Sequence, residues 1–202
     1  FECVNDTLGY DLSKIIFEGP DDELASTTNT QPALMATSIA IFRVLSRETG
    51  KNIEELCDVV AGHSLGEYSA LCASDSLSLE ETAKLLKVRA TSMQEASPKG
   101  EGAMAACIGI SFKHLNDVLE SLITDGVCQI ANDNVDGQIV ISGHEYNVDR
   151  IVAALKDTGY KAIKLKVSAP FHSKLIENAQ KPMQSALDLT EIKTPKVPLL
   201  AN

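Results

Sequence analysis

CDVVAGHSLGEYSAL, residues 57–71, is an apolar run that breaks at Gly62, reaches a serine two residues later and resumes after Gly66. The part 57–61 is short, apolar and β-branched, the composition of a buried strand. The part 66–74 reads as a helix. Between them, Gly62-His63-Ser64-Leu65-Gly66 matches G-x-S-x-G, the elbow that carries a nucleophilic serine from strand to helix. A serine on so tight a corner has a strained backbone, and its neighbours must be tiny for the turn to close, hence glycine on both sides. Ser64 is therefore a candidate nucleophile at a helix N-terminus. There the N–H of Leu65 points to where an oxyanion would form. A chance match on a plain turn is the alternative; strand before and helix after favour the elbow.

Outward from the elbow, helices and strands alternate, an α/β pattern. QPALMATSIAIFRVLSRE (31–48) ends in charge and Gly50 and predicts a well-buried helix. Ser78-x-x-Glu81 is a capping-box pattern opening a helix over 79–96, with Leu79, Ala83, Leu86, Ala90 and Met93 as its apolar face. SPKGEG (97–102) has linker composition. Then come a strand (102–109), a helix (111–124, with Phe112, Leu115, Leu119 and Leu122 inward) and a strand (127–132). NDNVDG predicts a turn. A strand (137–142), a helix (145–158, with Val148, Ile151, Val152 and Leu155 inward) and a strand (160–167) complete the set. The order β-α-β-β-α-β is ferredoxin-like, and ~65 residues suffice for a small lobe. From 168 the chain returns to the first lobe by a loop, a helix over about 173–188 and a strand at 197–201. The expected division is a large subdomain of 1–97 and 168–202 and an inserted small subdomain of 98–167. The opening FECVNDTLG reads as the inside of a helix and the closing VPLLAN as a strand, so both ends are expected to be cut.

The bulk composition is that of an ordinary globular chain: 202 residues, 44% hydrophobic, 23% charged, net charge −10. That length supports one sizeable core, with room for a satellite lobe. A broad basic surface is absent, which argues against nucleic acid as a partner. Cys3, Cys57, Cys72, Cys107 and Cys128 include no C-x-x-C pair, and several sit in apolar runs. They read as small buried residues in a reducing, cytoplasmic compartment rather than as disulfides or metal ligands. No run approaches the ~20 apolar residues of a membrane span, and no signal peptide is visible.

A nucleophilic serine needs a base, and the chain has four histidines. His63 lies inside the elbow, where its side chain points away from the nucleophile. His114 is in the first turn of a surface helix. His144 starts a helix, a capping or solvent position. His172 stands in SAPFHS, a loop flanked by Pro170 and Phe171 where the small lobe rejoins the large one, and clefts between lobes are where sites form. His172 is the favoured base. Arg89, one of four arginines, lies among Val88, Ala90 and Met93. It is either half of a salt bridge with a nearby Glu or a bidentate clamp for a substrate carboxylate, which is work for Arg rather than Lys.

TQPAL (30–34), GHSLGEYSAL (62–71), the Arg89 and Met93 helix, GAMAA (102–106), NDNVDGQIVISG (132–143) and SAPFHS (168–173), in this order, resemble the malonyl-CoA:acyl carrier protein transacylase family, which belongs with the acyltransferase domains of fatty acid and polyketide synthesis. The resemblance covers the whole chain. It implies an α/β-hydrolase-like core with an inserted ferredoxin-like (βαββαβ) subdomain, acting as a cytoplasmic monomer. It implies that Ser64 takes the malonyl group from malonyl-CoA as an ester, and that the phosphopantetheine thiol of acyl carrier protein then accepts it. His172 serves as base and acid, Arg89 holds the malonyl carboxylate and the amide of Leu65 is an oxyanion donor. Gln31, Met93, Asn132 and Phe171 match positions lining the family's pocket. For Gln31 a capping role beside Pro32, and for Asn132 a turn, are equal alternatives. Phe171 beside His172 is the pattern that goes with malonyl rather than methylmalonyl. No metal and no cofactor are implied, since phosphopantetheine is carried by the partner. The family's glutamine-containing oxyanion loop and its His-orienting segment are not among these residues. Residues 1–202 alone are therefore expected to be nearly inactive, because one lost oxyanion donor costs ~10²–10³ in rate.

Two rivals remain at this level. A lipase-like hydrolase uses the same elbow but needs an acid between Ser64 and His172. Asp133 and Asp149 are candidates, better explained by turns and helix starts. Glu67 also departs from the small residue many lipases place there. A degenerate module that only docks a carrier protein is disfavoured by the Ser64, Arg89 and His172 set. An acidic carrier would meet this acidic chain through a local basic patch, for which Lys161, Lys164, Lys166, Lys174 and Lys181 are candidates, or they are merely solvated.

Overall fold

The structure, a computed structural model, describes residues 1–98, 100–167 and 169–202, and among the described residues ten α-helices, one 3-10 helix and six strands follow one another. In chain order they are α1 (Glu2–Leu8), α2 (Leu12–Glu18), α3 (Asp21–Ala25), α4 (Thr27–Thr49), α5 (Ile53–Leu56), β1 (Val60–Ala61), α6 (Gly66–Ala73) and α7 (Leu79–Glu95). Then come β2 (Gly102–Ile108), α8 (Phe112–Leu122), β3 (Cys128–Val135), β4 (Gln138–His144), α9 (Glu145–Asp157) and β5 (Lys161–Lys164). A 3-10 helix (Lys174–Ala179), α10 (Gln180–Asp188) and β6 (Leu199–Leu200) complete a mixed α/β chain. It divides into two compact units, Phe1–Thr91 with Pro182–Asn202, and Ser92–Lys181.

The first unit is built on helix packing. Val4, Leu8, Leu12, Met35, Ile39, Ala83 and Leu86 form its core. Each fully buried Leu or Met side chain contributes about 1.5–3 kcal/mol. The capping box that opens α7 is present: Ser78 N donates to Glu81 Oε2 at 3.0 Å and Glu81 N to Ser78 Oγ at 3.1 Å. The expected strand 57–61 is shorter than its sequence suggests. Only Val60 and Ala61 pair, in parallel with Leu199 and Leu200, and from Gly62 the chain leaves the ladder for the turn that precedes α6. The expected strand 197–201 likewise pairs only through Leu199 and Leu200. Helix α4 corrects a second expectation. Its buried residues are Thr27 and others between Gln31 and Ile39, but Ile41, Val44 and Leu45 are exposed, so its second half is not a buried helix.

The second unit is a four-stranded antiparallel sheet in the order β3-β4-β2-β5. Alternation along β2 sends Ala103, Ala105 and Cys107 to one face, where Leu115 and Leu119 of α8 and Val148, Ile151 and Leu155 of α9 pack with Ile139 and Ile141. Phe112 is not inward as expected. It sits at the first position of α8 and is exposed. Of the residues NDNVDG, only the last two make the expected turn. Strand β3 continues through Val135, absorbing irregularities between Ile130 and Asn132 and between Asp133 and Val135, and the reversal falls at Asp136 and Gly137. This unit also exceeds the lobe expected at 98–167. Met93 and Ala96 at the end of α7 pack with Phe171, Ile176 and Ala179, which brings both flanks into it. Lys99 and Ser168, in the expected linker and at the expected boundary, lie outside the described residues.

Candidate active site

Strand β1 ends at Ala61 and α6 begins at Gly66, so four residues must reverse the chain. They do so with Ser64 at φ 55°, a left-handed conformation costing a non-glycine residue roughly 1–2 kcal/mol. The reversal is closed by Gly66 N to His63 O (2.9 Å), Glu67 N to Ser64 O (3.2 Å) and Tyr68 N to Leu65 O (3.1 Å). The two glycines of the motif are not equivalent. A Cβ on Gly62 would fall 1.9 Å from the Gly66 carbonyl oxygen, whereas one on Gly66 would meet nothing within 4 Å. Gly62 is demanded by sterics, and Gly66 contributes the backbone that crowds it. Leu65 is the N-cap of α6, so its N–H belongs to the set a helix leaves without an intrahelical acceptor.

Arg89 reaches the elbow from α7. Its Nη2 donates to Ser64 Oγ at 2.9 Å and its Nη1 to Gln31 Oε1 at 2.5 Å. The guanidinium also lies 5.8 Å from the centre of the Tyr68 ring, within cation–π range. Burial pushes Arg89 below its usual range, with Tyr68 and Glu67 opposing. The same burial raises Tyr68, with Arg89 opposing. The salt-bridge alternative for Arg89 is not what this unit contains, since among the described residues the ion pairs involve other cations. Gln31 is buried within α4, its oxygen turned to Arg89 and its nitrogen 3.5 Å from Thr27 Oγ1. That is a side-chain support for the arginine, not a cap. A cleft of 720 Å³ runs beside the elbow, lined by Leu34, Phe42 and Val59 together with Gly62 to Gly66.

The second unit holds the other sequence candidates. His172 has φ 56°. Among the described residues only Ser64, Asp75 and His172 are non-glycines with positive φ, so two of the three are the predicted nucleophile and base. The His172 loop is tightly bound: Ser173 Oγ donates to Pro170 O (2.8 Å), Phe171 N to Ala169 O (2.9 Å) and Lys174 N to Gln129 Oε1 (3.2 Å). Pro170 lies so close to β2 that a Cβ on Gly102 would be 2.4 Å from its Cγ. Met93 and Phe171 share one apolar cluster. Asn132 stands in β3 opposite Val140, so its turn alternative falls away.

Two other histidines have structural work. His114 Nδ1 is 3.1 Å from Tyr160 Oη. His144 Nδ1 accepts from Val127 N at 2.8 Å, where a capping or solvent role was expected. Lys164 is held between Glu145 (2.9 Å) and Asp149 (2.8 Å), its hydrogen bonds to them raising its pKa, Asp149 first. That removes Lys164 from any free basic patch and occupies one of the acids a hydrolase would need. Asp133 pairs with Ile139 inside β3 rather than standing at a turn.

Sequence reading missed Asn202 and Glu67. Asn202 Oδ1 accepts from Ser64 N at 3.2 Å, its Nδ2 donates to Gly62 O, and Glu67 Oε2 accepts from Asn202 N at 2.9 Å. No local pattern marks a contact across 138 positions. Only the run of β6 beside β1 brings it about. Among the described residues no group of three or more His, Cys, Asp or Glu is arranged to hold a metal ion, and no helix is long and apolar enough to cross a membrane.

Residues 2–201 match the family model described as acyl transferase domain. The chain is 43% identical to the malonyl CoA-acyl carrier protein transacylase of Bacillus subtilis, over 100% of this chain and 63% of that protein. It superposes on the acyl-carrier-protein-S-malonyltransferase of Bartonella henselae with a TM-score of 0.95 at 50% identity, covering 100% of this chain and 64% of the other. It also resembles, at 37% identity and a TM-score of 0.92 over 98% of this chain and 63% of the other, a malonyl-transacylase in complex with its type II PKS acyl-carrier protein. The chain thus spans less than two thirds of the length of these relatives.

Proposed function

The chain belongs to the acyl transferase domain family, and on that footing we propose that the whole protein transfers the malonyl group from malonyl-CoA to the phosphopantetheine thiol of acyl carrier protein in fatty acid biosynthesis. The observation that carries this reading is the Arg89 guanidinium bonded to Ser64 Oγ at 2.9 Å. In a malonyl-serine ester the free carboxylate is three bonds from Oγ. An arginine within hydrogen-bond reach of Oγ is therefore within reach of that carboxylate too. Gln31 fixes one edge of the guanidinium, and burial makes an unpaired cation costly, so an acyl group without a carboxylate is disfavoured.

In the proposed reaction His172 takes the Ser64 proton as Oγ attacks the thioester carbonyl. The developing oxyanion is received by the N–H of Leu65. The C–S bond breaks and the leaving CoA thiolate takes the proton from His172. In the second half the carrier thiol gives its proton to His172 and attacks the ester, and Ser64 Oγ leaves and is reprotonated. The two halves balance with no redox step and no cofactor of the protein's own. Met93, Phe171 and Asn132 are read as pocket walls, with Phe171 favouring malonyl over methylmalonyl.

The second unit's β-α-β-β-α-β order and its β3-β4-β2-β5 sheet support a ferredoxin-like subdomain. The parallel β1–β6 pair leading into the elbow supports an α/β-hydrolase-like core. A cytoplasmic monomer is part of the same reading. Mass spectrometry of the whole protein after incubation with malonyl-CoA tests it. A malonyl adduct on Ser64, lost in Ser64→Ala, is the expected result. Malonate release at the same rate with and without carrier would make the protein a hydrolase instead.

A further inference from the structure

We infer that Asn202 is a positioning residue for the nucleophile: its side-chain amide extends the β1–β6 pairing beyond the last backbone pair and holds Ser64 in its left-handed turn. The inference rests on the reading of Ser64 as the nucleophile. The parallel ladder ends at Ala61 and Leu200. Two residues further along, Asn202 Oδ1 accepts the Ser64 N–H at 3.2 Å and Nδ2 donates to Gly62 O at 2.5 Å. The elbow turns these two backbone groups away from the ladder, and backbone polar groups need partners. The amide supplies an acceptor for one and a donor for the other.

The orientation of the amide is dictated by Glu67. Its Oε2 accepts the second Nδ2 hydrogen at 3.1 Å and the Asn202 backbone N–H at 2.9 Å. Turned over, the amide would set oxygen against the Gly62 carbonyl and the Glu67 carboxylate, and NH₂ against the Ser64 N–H. Glu67 stands in the first turn of α6. The end of β6, the elbow and the start of the helix are therefore tied through one side chain. What that tie fixes is the direction of the Ser64 backbone, and with it both Oγ and the following Leu65 N–H. A displacement of ~1 Å in reacting groups costs ~10² in rate.

The test uses the whole protein and two readouts of Ser64: labelling by a fluorophosphonate, which needs no recognition of an acyl carboxylate, and single-turnover acylation by malonyl-CoA. Asn202→Ala is expected to slow both by ~10², with KM for malonyl-CoA within about twofold. Asn202→Asp is expected to be slower still, since its carboxylate faces Gly62 O and Glu67. Adding Glu67→Gln to Asn202→Asp is expected to restore at least about tenfold, because a glutamine amide donates where glutamate only accepts. Recovery in the double variant distinguishes positioning from loss of fold. Fluorophosphonate labelling of Asn202→Ala within about twofold of wild type, or a double variant no faster than Asn202→Asp, overturns the inference. If wild-type Ser64 takes the fluorophosphonate but not malonyl, the proposed function fails, and the labelling rates alone judge the role of Asn202.

Discussion

Arg89 carries the selectivity of the proposed reaction, and its surroundings say how. One guanidinium nitrogen is spent on Gln31 and another on Ser64 Oγ, with Tyr68 beneath. Arg89→Ala is expected to lower malonyl transfer to Ser64 by ~10³ while changing acetyl transfer far less, since only the first acyl group uses the cation. Arg89→Lys keeps the charge but not the fork, and should recover only part of the loss. Single-turnover acylation with the two CoA esters measures both; equal losses for malonyl and acetyl would show that Arg89 supports the fold rather than the carboxylate. Ser64 and Arg89 were legible in the sequence, one by its motif and the other as an arginine amid apolar neighbours. Asn202 was not, because its role depends on partners at Gly62, Ser64 and Glu67 that only tertiary pairing delivers.

At the scale of elements, the elbow and the small sheet make separate predictions. A methyl on Gly62 collides with backbone at 1.9 Å, so Gly62→Ala must open the turn. Overpacking costs about 1–3 kcal/mol, and a clash with backbone belongs at or above the top of that range. Gly66→Ala meets nothing within 4 Å, and a Gly→Ala change that the backbone accepts stabilises by roughly 0.4–1 kcal/mol through the unfolded chain. Thermal melts of the two variants should move in opposite directions; a similar loss in both would contradict the assigned geometry. In the second unit, burial raises the Cys107 thiol to about 11, and burial together with Cys107 raises Cys128 to about 12, from an ordinary 9.0. Folding keeps both thiols neutral. The stability this confers is full below pH 9 and is lost as pH climbs toward 11–12. At pH 8, alkylation of these two cysteines should be slow in the native protein and fast in urea, and equal rates in the two states would refute the burial. The longer helices were legible through capping and periodicity, whereas the short α2, α3 and α5 were not read from the sequence. Strand ends were not legible: the Asn- and Asp-rich 132–137 reads as a turn throughout, whereas pairing with β4 draws 132–135 into β3 and leaves only Asp136 and Gly137 to turn.

At the scale of the molecule, a chain of net charge −10 is proposed to receive an acidic carrier. The lysines left to attract it are those without a local acid. Lys164 is neutralised by Glu145 and Asp149, whereas Lys174 and Lys181 are exposed and outside the ion pairs among the described residues. Changing both to Glu should raise KM for the carrier by about tenfold, with the effect shrinking as salt rises, and leave KM for malonyl-CoA nearly unchanged. Equal changes in both constants would place these lysines outside the carrier surface. The mixed α/β character followed from the order of elements along the chain. The membership of Met93 in the second unit did not, because it depends on packing with Phe171, Ile176 and Ala179. The central claim is that Ser64 relays a carboxylated acyl group between two thiols, and a chase experiment tests it most directly. Whole protein loaded with labelled malonyl on Ser64, freed of CoA and mixed with phosphopantetheine-bearing carrier, should pass the label to the carrier thiol much faster than to water. Release of the label as free malonate, at a rate indifferent to carrier, would contradict it.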